Sequence, residues 1–196
     1  MNAKVEQKER SHEAILASAA RLVRERGISG TRVADVMKGA GLTVGGFYAH
    51  FASKEALVDE VLRRTGAEHR DRLFARLEDK PELDRAEVVL KRYLSTAHRD
   101  AETFGCPLPA VVGEIGTTAD EHREVLAEQV EALAGGFDEH VPATHGMPRR
   151  AVVLGLIALM YGGLSLSRAL RGTPLSDEVI RACRLVGAAA AKGILR

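Results

Sequence analysis

The sequence predicts an all-α fold, and three observations carry that prediction. Apolar residues recur at three- and four-residue spacing through nearly every segment, and no run sustains the alternation of a half-buried strand. Glycine and proline fall where helices should stop, at Gly27, Lys80-Pro81 and the Pro142–Pro148 stretch. A 45% hydrophobic content supplies a core, and 28% charged residues supply the outer helical faces. About nine helices are expected, arranged as an N-terminal three-helix helix-turn-helix head and a larger C-terminal helical bundle.

Each element has its own warrant. The first helix should run from about Glu9 to Arg26, with Ile15, Leu16, Ala19, Leu22 and Val23 on one face and Gly27 as its stop. A short second helix, N-capped by Thr31, should reach Gly39 and bury Val33, Val36 and Met37. After the turn Ala40-Gly41-Leu42, a third helix should open at Thr43 and include Phe47, Tyr48 and His50. Ser53 should cap a fourth, extending as far as Leu77. A fifth is expected over Asp84–His98, and a sixth from Pro107 to Gly116, proline being tolerated in a first turn. A seventh spans Ala119–Glu139. The eighth is the uncharged stretch Ala151–Ser167, just short of a membrane span and interrupted by Gly155, Gly162 and Gly163. It reads as a helix buried on all sides and ends near Arg171-Gly172. Ser176 should cap the ninth.

The net charge of +1 hides an asymmetry. Residues 1–54 carry nine Lys/Arg against five Asp/Glu, so the acidic excess lies in the rest of the chain. The basic third coincides with the segment Thr31–Lys54, TRVADVMKGAGLTVGGFYAHFASK, in which two short helices meet at a glycine turn. Such a unit lays its second helix in the DNA major groove. Thr43 at the start of that helix has a hydroxyl for a phosphate or a base edge. Gly45 and Gly46 are poor helix formers, and their place at the start of a short helix suggests close approach of the backbone to DNA. Tyr48, His50 and Lys54 offer a hydroxyl, an imidazole and an ammonium to phosphates, while Phe47 and Phe51 should face inward.

The motifs Thr31-x-Val-Ala-Asp-Val, Ala40-Gly41-Leu42-Thr43 and Phe47-Tyr48-Ala49-His50-Phe51-x-Ser53-Lys54-Glu55-Ala56-Leu57 resemble the N-terminal domain of the TetR family over about Glu9–Leu62. The resemblance implies a DNA-binding head at residues 1–54 and a ligand-binding, dimerising body at 55–196. It implies a repressor that binds palindromic operator DNA as a homodimer through its last two helices and is released by a small-molecule effector. Thr43, Gly45, Gly46, Tyr48, His50 and Lys54 match DNA-contacting positions of the family, and Thr31 and Arg32 match the start of the backbone-touching helix. Val44 stands where many relatives have a polar or basic residue, which leaves either an apolar contact, such as to a thymine methyl, or no base contact there.

For the body, Phe104-Gly-Cys-Pro-Leu followed by Glu114 resembles a subgroup of regulators of multidrug-resistance genes. The effector pocket is expected among helices five to eight, with Tyr93, Phe104, Cys106, Val111, Ile115, Phe137, Met160 and Tyr161 as candidate contacts, a mostly apolar lining that favours a hydrophobic or aromatic effector. Helix eight has more apolar surface than one copy covers, and the small-residue run Gly187–Ala191 permits close packing.

Other chemistries find less support. Cys106 and Cys183 form neither a metal-ligand spacing nor a disulfide framework, which fits a cytoplasmic protein. His140 and His145 straddle Pro142 without a helical ligand spacing, so neither metal nor cofactor is expected. No signal-peptide core opens the chain, and no membrane partner is expected. No nucleophile–base grouping or phosphate loop stands out, which argues against an enzyme acting on a small apolar substrate. A DNA-binding dimer without an effector is the remaining alternative.

Overall fold

The computed structural model describes residues 3–101, 106–141 and 147–193. Its helices are α1 (Ala3–Arg26), α2 (Val33–Gly39), α3 (Lys54–Phe74), α4 (Glu82–Tyr93), α5 (Thr96–Asp100), α6 (Leu108–Thr117), α7 (Arg123–Asp138), α8 (Arg149–Ala169) and α9 (Pro174–Ala191). Two 3-10 helices, Val44–Ala49 and Asp120–His122, accompany them, and no strand forms among the described residues.

The chain divides into two compact units. Residues 1–66 together with Cys106–Ala127 make the first, and residues 67–105 with 128–196 make the second. The first is built on Ile15, Leu16, Ala19 and Leu22 of α1, Val36 and Met37 of α2, and Phe47, Phe51, Leu57 and Val61. In the second, Val89, Leu90 and Tyr93 of α4, Phe137 of α7, Val153, Leu156, Met160 and Leu164 of α8 and Ile180 of α9 are all buried. The α8–α9 pair is fixed by a reciprocal serine contact. Ser176 donates its hydroxyl to the Ser167 carbonyl at 2.7 Å, and the Ser167 hydroxyl reaches the Ser176 carbonyl at 2.9 Å.

Several expected boundaries move, each for a local reason. α1 begins at Ala3 rather than Glu9, because Ala3–Lys8 contains no helix breaker. Thr31 does not cap α2; its hydroxyl donates to the Gly27 carbonyl at 2.7 Å, and Arg32 takes the N-cap position. The expected fifth helix splits into α4 and α5, because the Ser95 hydroxyl accepts the His98 amide at 3.1 Å and starts a new helix. The seventh is preceded by the 3-10 turn Asp120–His122. α9 starts at Pro174 with Thr173 at its N-cap position, which frees Ser176 for the contact with α8.

α8 is not buried on all sides. It buries Val152, Val153, Leu156, Ile157, Met160, Tyr161 and Leu164 and leaves Gly155, Ala158, Gly162 and Leu166 exposed on the other face. It is long and apolar enough to cross a membrane by length and composition, and half of its most apolar stretch is buried inside this fold.

Candidate nucleic-acid interface

The segment expected to meet DNA is positioned by the first unit's core. Gly41, at φ 70°, turns the chain after α2, and the Leu42 amide bonds back to the Met37 carbonyl at 2.9 Å. The next element is a 3-10 helix, not the α-helix expected from Thr43 onward. Six residues that include Gly45 and Gly46 have too little helix propensity to favour the α form, and short 3-10 pieces are common in such places. Phe47 anchors the element at 1% exposure, edge-on to Tyr48 and packed against Phe51 with ring centroids 5.8 Å apart.

What this anchoring leaves outside is informative. Tyr48 is 75% exposed and Val44 50% exposed, although both are large side chains. Arg32, Thr43 and Gly45 are exposed as well, and Thr43 makes no side-chain cap bond at the N-terminus of the 3-10 helix. Arg32, Thr43, Val44, Gly45 and Tyr48 therefore present a cation, two hydroxyls, an apolar side chain and bare backbone, a set suited to phosphates and base edges. Gly46 is half-buried beside Met37, 3.7 Å from where a Cβ would stand.

Three candidates have additional roles inside the unit. Thr31 is 1% exposed and its hydroxyl serves the Gly27 carbonyl. Lys54 donates from Nζ to the Ile28 carbonyl at 2.8 Å, so at least one of its three donors holds the α1–α2 loop. His50 is half-buried, and burial, with the charges of His12 and Lys8, pushes its imidazole below the usual histidine range. It is accordingly a neutral donor or acceptor near pH 7.

Two residues of the first unit were not among the candidates. His12 stacks on Phe51 at 4.7 Å and reaches Glu60 Oε1 at 2.7 Å, bracing the end of the 3-10 segment. Its place on the apolar side of α1 was the only sequence signal. Glu114 of α6 accepts the Ile28 amide at 2.9 Å and the Ser29 amide at 2.8 Å across 86 and 85 residues of chain, a pairing that no local pattern announces.

The effector candidates are divided between the units. Cys106, Val111 and Ile115 are buried in the first, whereas Tyr93, Phe137, Met160 and Tyr161 are buried in the second, and Phe104 lies outside the described residues. In the second unit Tyr93 sits beside two histidines, His69 and His98, that no sequence pattern pairs. The His69 and His98 rings are 4.6 Å apart, and His98 Nδ1 lies 2.7 Å from the Tyr93 carbonyl. No group of three or more His, Cys, Asp or Glu able to hold a metal is found among the described residues.

A family model described as bacterial regulatory proteins, tetR family, matches residues 15–61. An uncharacterized HTH-type transcriptional regulator of Mycobacterium tuberculosis is 31% identical over 186 residues, covering 88% of this chain and 91% of that one. The chain belongs to the TetR family. Membership makes it a DNA-binding transcriptional regulator rather than an enzyme. The HTH-type transcriptional repressor KstR2 of the same organism is 48% identical over 65 residues, 33% of this chain; the match spans only 30% of that relative's length. Among solved structures, the reduced form of E. coli NemR superposes with a TM-score of 0.71 at 21% identity, covering 88% of this chain and 94% of that one. This likeness shows that the TetR fold extends through the body of the chain.

Proposed function

We propose that this TetR-family chain is a repressor that binds a palindromic operator as a homodimer and is released by a small ligand. The observation that carries the reading is the surface made by Thr43, Val44, Gly45 and Tyr48, exposed on a short element whose Phe47 is locked into the core. A tyrosine three-quarters exposed on such a rigid support serves recognition, since it brings an apolar ring and a hydroxyl at low entropic cost. Names of relatives such as KstR2 support the repressive sign. The DNA-binding head at residues 1–54, the body at 55–196 and the cytoplasmic location belong to the same reading.

Dimerisation rests on the last two helices. Leu166 of α8 and Leu175, Leu185 and Val186 of α9 are each half or more exposed, alongside Gly155, Ala158 and Gly162. A second copy covers that surface, and two heads about one DNA turn apart read a palindrome where one head reads few bases. Introducing Leu185→Glu together with Val186→Glu is expected to shift the protein to monomer in sedimentation velocity and to abolish cooperative operator binding. A dimer of unchanged affinity removes this interface.

The effector is read as a small molecule with an apolar body that meets Tyr93, Met160 and Tyr161 in the second unit. A ligand with a differential affinity of roughly 1–3 kcal/mol for the two states changes operator affinity about 5–150-fold.

Anisotropy titration against the upstream DNA of its own gene, at fixed salt, tests the core of the reading. Thr43→Ala and Tyr48→Ala are each expected to weaken specific binding about tenfold or more, the scale of one good base or phosphate contact. Folded wild-type protein that selects no sequence from a genomic DNA library would overturn the operator reading.

A further inference from the structure

We propose that Glu114 is a positioning residue for operator recognition: from α6, outside the helix-turn-helix, it clamps the α1–α2 loop in the conformation that sets the recognition element. This rests on the operator reading above and concerns how that site is controlled.

The loop 27–31 is built around an anion. Gly27 ends α1 at φ 72°, and this left-handed turn points the successive Ile28 and Ser29 amides to one side, an arrangement that forms an anion-binding nest. In many proteins the occupant of such a nest is a phosphate. Here it is the chain's own carboxylate, one oxygen on each amide at 2.9 and 2.8 Å. The fit is close: a Cβ on residue 27 would stand 1.9 Å from Glu114 Oε1, so any side chain there excludes the clamp. Burial alone would push the Glu114 carboxyl up. Hydrogen bonds from Ser29 and Ile28, with the Lys54 ammonium nearby, outweigh it and hold the group below the usual range, charged at neutral pH.

Two further bonds converge on the same loop. Lys54, at the start of α3, holds the Ile28 carbonyl, and Thr31 holds the Gly27 carbonyl at 2.7 Å. The loop thus joins three elements, α1, α3 and α6, and it delivers the chain into α2 and the exposed 3-10 segment. α3 runs on past Gly66 into the second unit as one helix. Chain from the second unit flanks the segment Cys106–Ala127 on both sides, so α6 is tied covalently to that unit at each end. A shift of α6 withdraws the carboxylate, leaves two amides without their acceptor and widens the set of loop conformations. Operator affinity then falls in proportion to the fraction of heads still competent.

The test uses full-length protein and one operator at fixed salt. Wild type, Glu114→Gln and Glu114→Ala are compared by operator titration, thermal melting and amide exchange at Ile28 and Ser29. The glutamine can accept one amide but turns an NH2 toward the other. It is expected to weaken binding about tenfold, with alanine weaker still, the scale set by losing a hydrogen bond to a charged group. Exchange at the two amides should rise at least tenfold. Variants that bind within twofold of wild type, or amides that exchange no faster, would overturn the clamp while leaving the operator reading intact. Wild type that binds no operator removes the operator reading itself and the clamp with it. If the alanine variant melts early, the wild type decides alone: operator should slow exchange at Ile28 and Ser29 at least tenfold, and unchanged exchange refutes the proposal.

Discussion

Acidification from pH 7 to pH 4 is expected to destabilise the second unit by about 3 kcal/mol or more, through His69 and His98. Burial, reinforced for His69 by its histidine neighbour and for both rings by Arg72 and Arg168, lowers the two groups to about 3 and about 4 from an ordinary 6.5. The bond from His98 Nδ1 to the Tyr93 carbonyl works in the opposite direction for that ring but does not offset burial. Between these values and 6.5 the unfolded chain binds protons that the folded chain refuses. Stability is therefore complete above about pH 6.5 and is lost progressively as pH falls toward 4 and then 3. Urea unfolding at one-unit pH intervals checks the slope. His69→Phe keeps a ring against Tyr93 and His98 but cannot titrate, so its stability should fall less steeply below pH 6.5. A variant with the wild-type slope would show that the acid lability arises elsewhere, for example from carboxylates such as Asp100 and Glu87 that bonded cations hold below their usual range.

Phe47→Ala should be the most damaging single change in the first unit. Phe47 is 1% exposed, contacts Phe51 and Tyr48 through its ring, and sits in the core with Ile15, Leu22, Met37 and Leu57. Removing a buried phenyl costs about 3–5 kcal/mol. For a unit of this size, at roughly 4–8 °C per kcal/mol, the melting temperature should drop by more than ~10 °C. Operator binding should disappear at temperatures where the second unit, followed by exchange of α8 and α9 amides, is still folded. If the variant binds operator normally, the 3-10 segment is held by something other than this anchor. Tyr48→Ala provides the contrast, since an exposed ring contributes little to folding and its loss should affect binding alone.

The fold class, the run of α1 into Gly27, and the exposed and buried sides of Thr43–Phe51 were legible because they depend on residues within a few positions of each other. Periodicity identified the faces, glycine marked the stops, and the inward reading of Phe47 and Phe51 separated the buried rings from the exposed Tyr48. Local preference failed where a competing bond was close in strength. Thr31 looks like a cap but serves the Gly27 carbonyl, and Ser176 looks like a cap but serves α8. Ser95 could have been read as the break between α4 and α5, since a serine before Thr96 is an ordinary N-cap signal. The 3-10 form of the Val44–Ala49 element follows from Gly45-Gly46, a doublet read as a poor helix former but taken as a sign of close approach to DNA and not of a change of helix type. The bond from Glu114 to the loop and the pairing of His69 with His98 were illegible for a different reason. Each joins residues whose separation in sequence carries no periodic trace, and only the completed packing brings them together.

The first unit draws on two separated stretches of chain, and this has a consequence for how the protein is made. The α1–α2 loop is synthesised early, but Glu114, which holds it, lies 85 residues downstream of Ser29. At ~5–20 residues per second the ribosome needs several seconds to supply it. During that interval α1, α2 and the basic segment around them exist without α6, and a nascent head lacks the anion that fills its nest. Under the proposed clamp, a growing chain becomes competent for DNA only after part of the following unit has been made. On the clamp and the repression proposed above, unfinished copies lack the ordered loop, so occupancy of DNA follows the number of complete molecules.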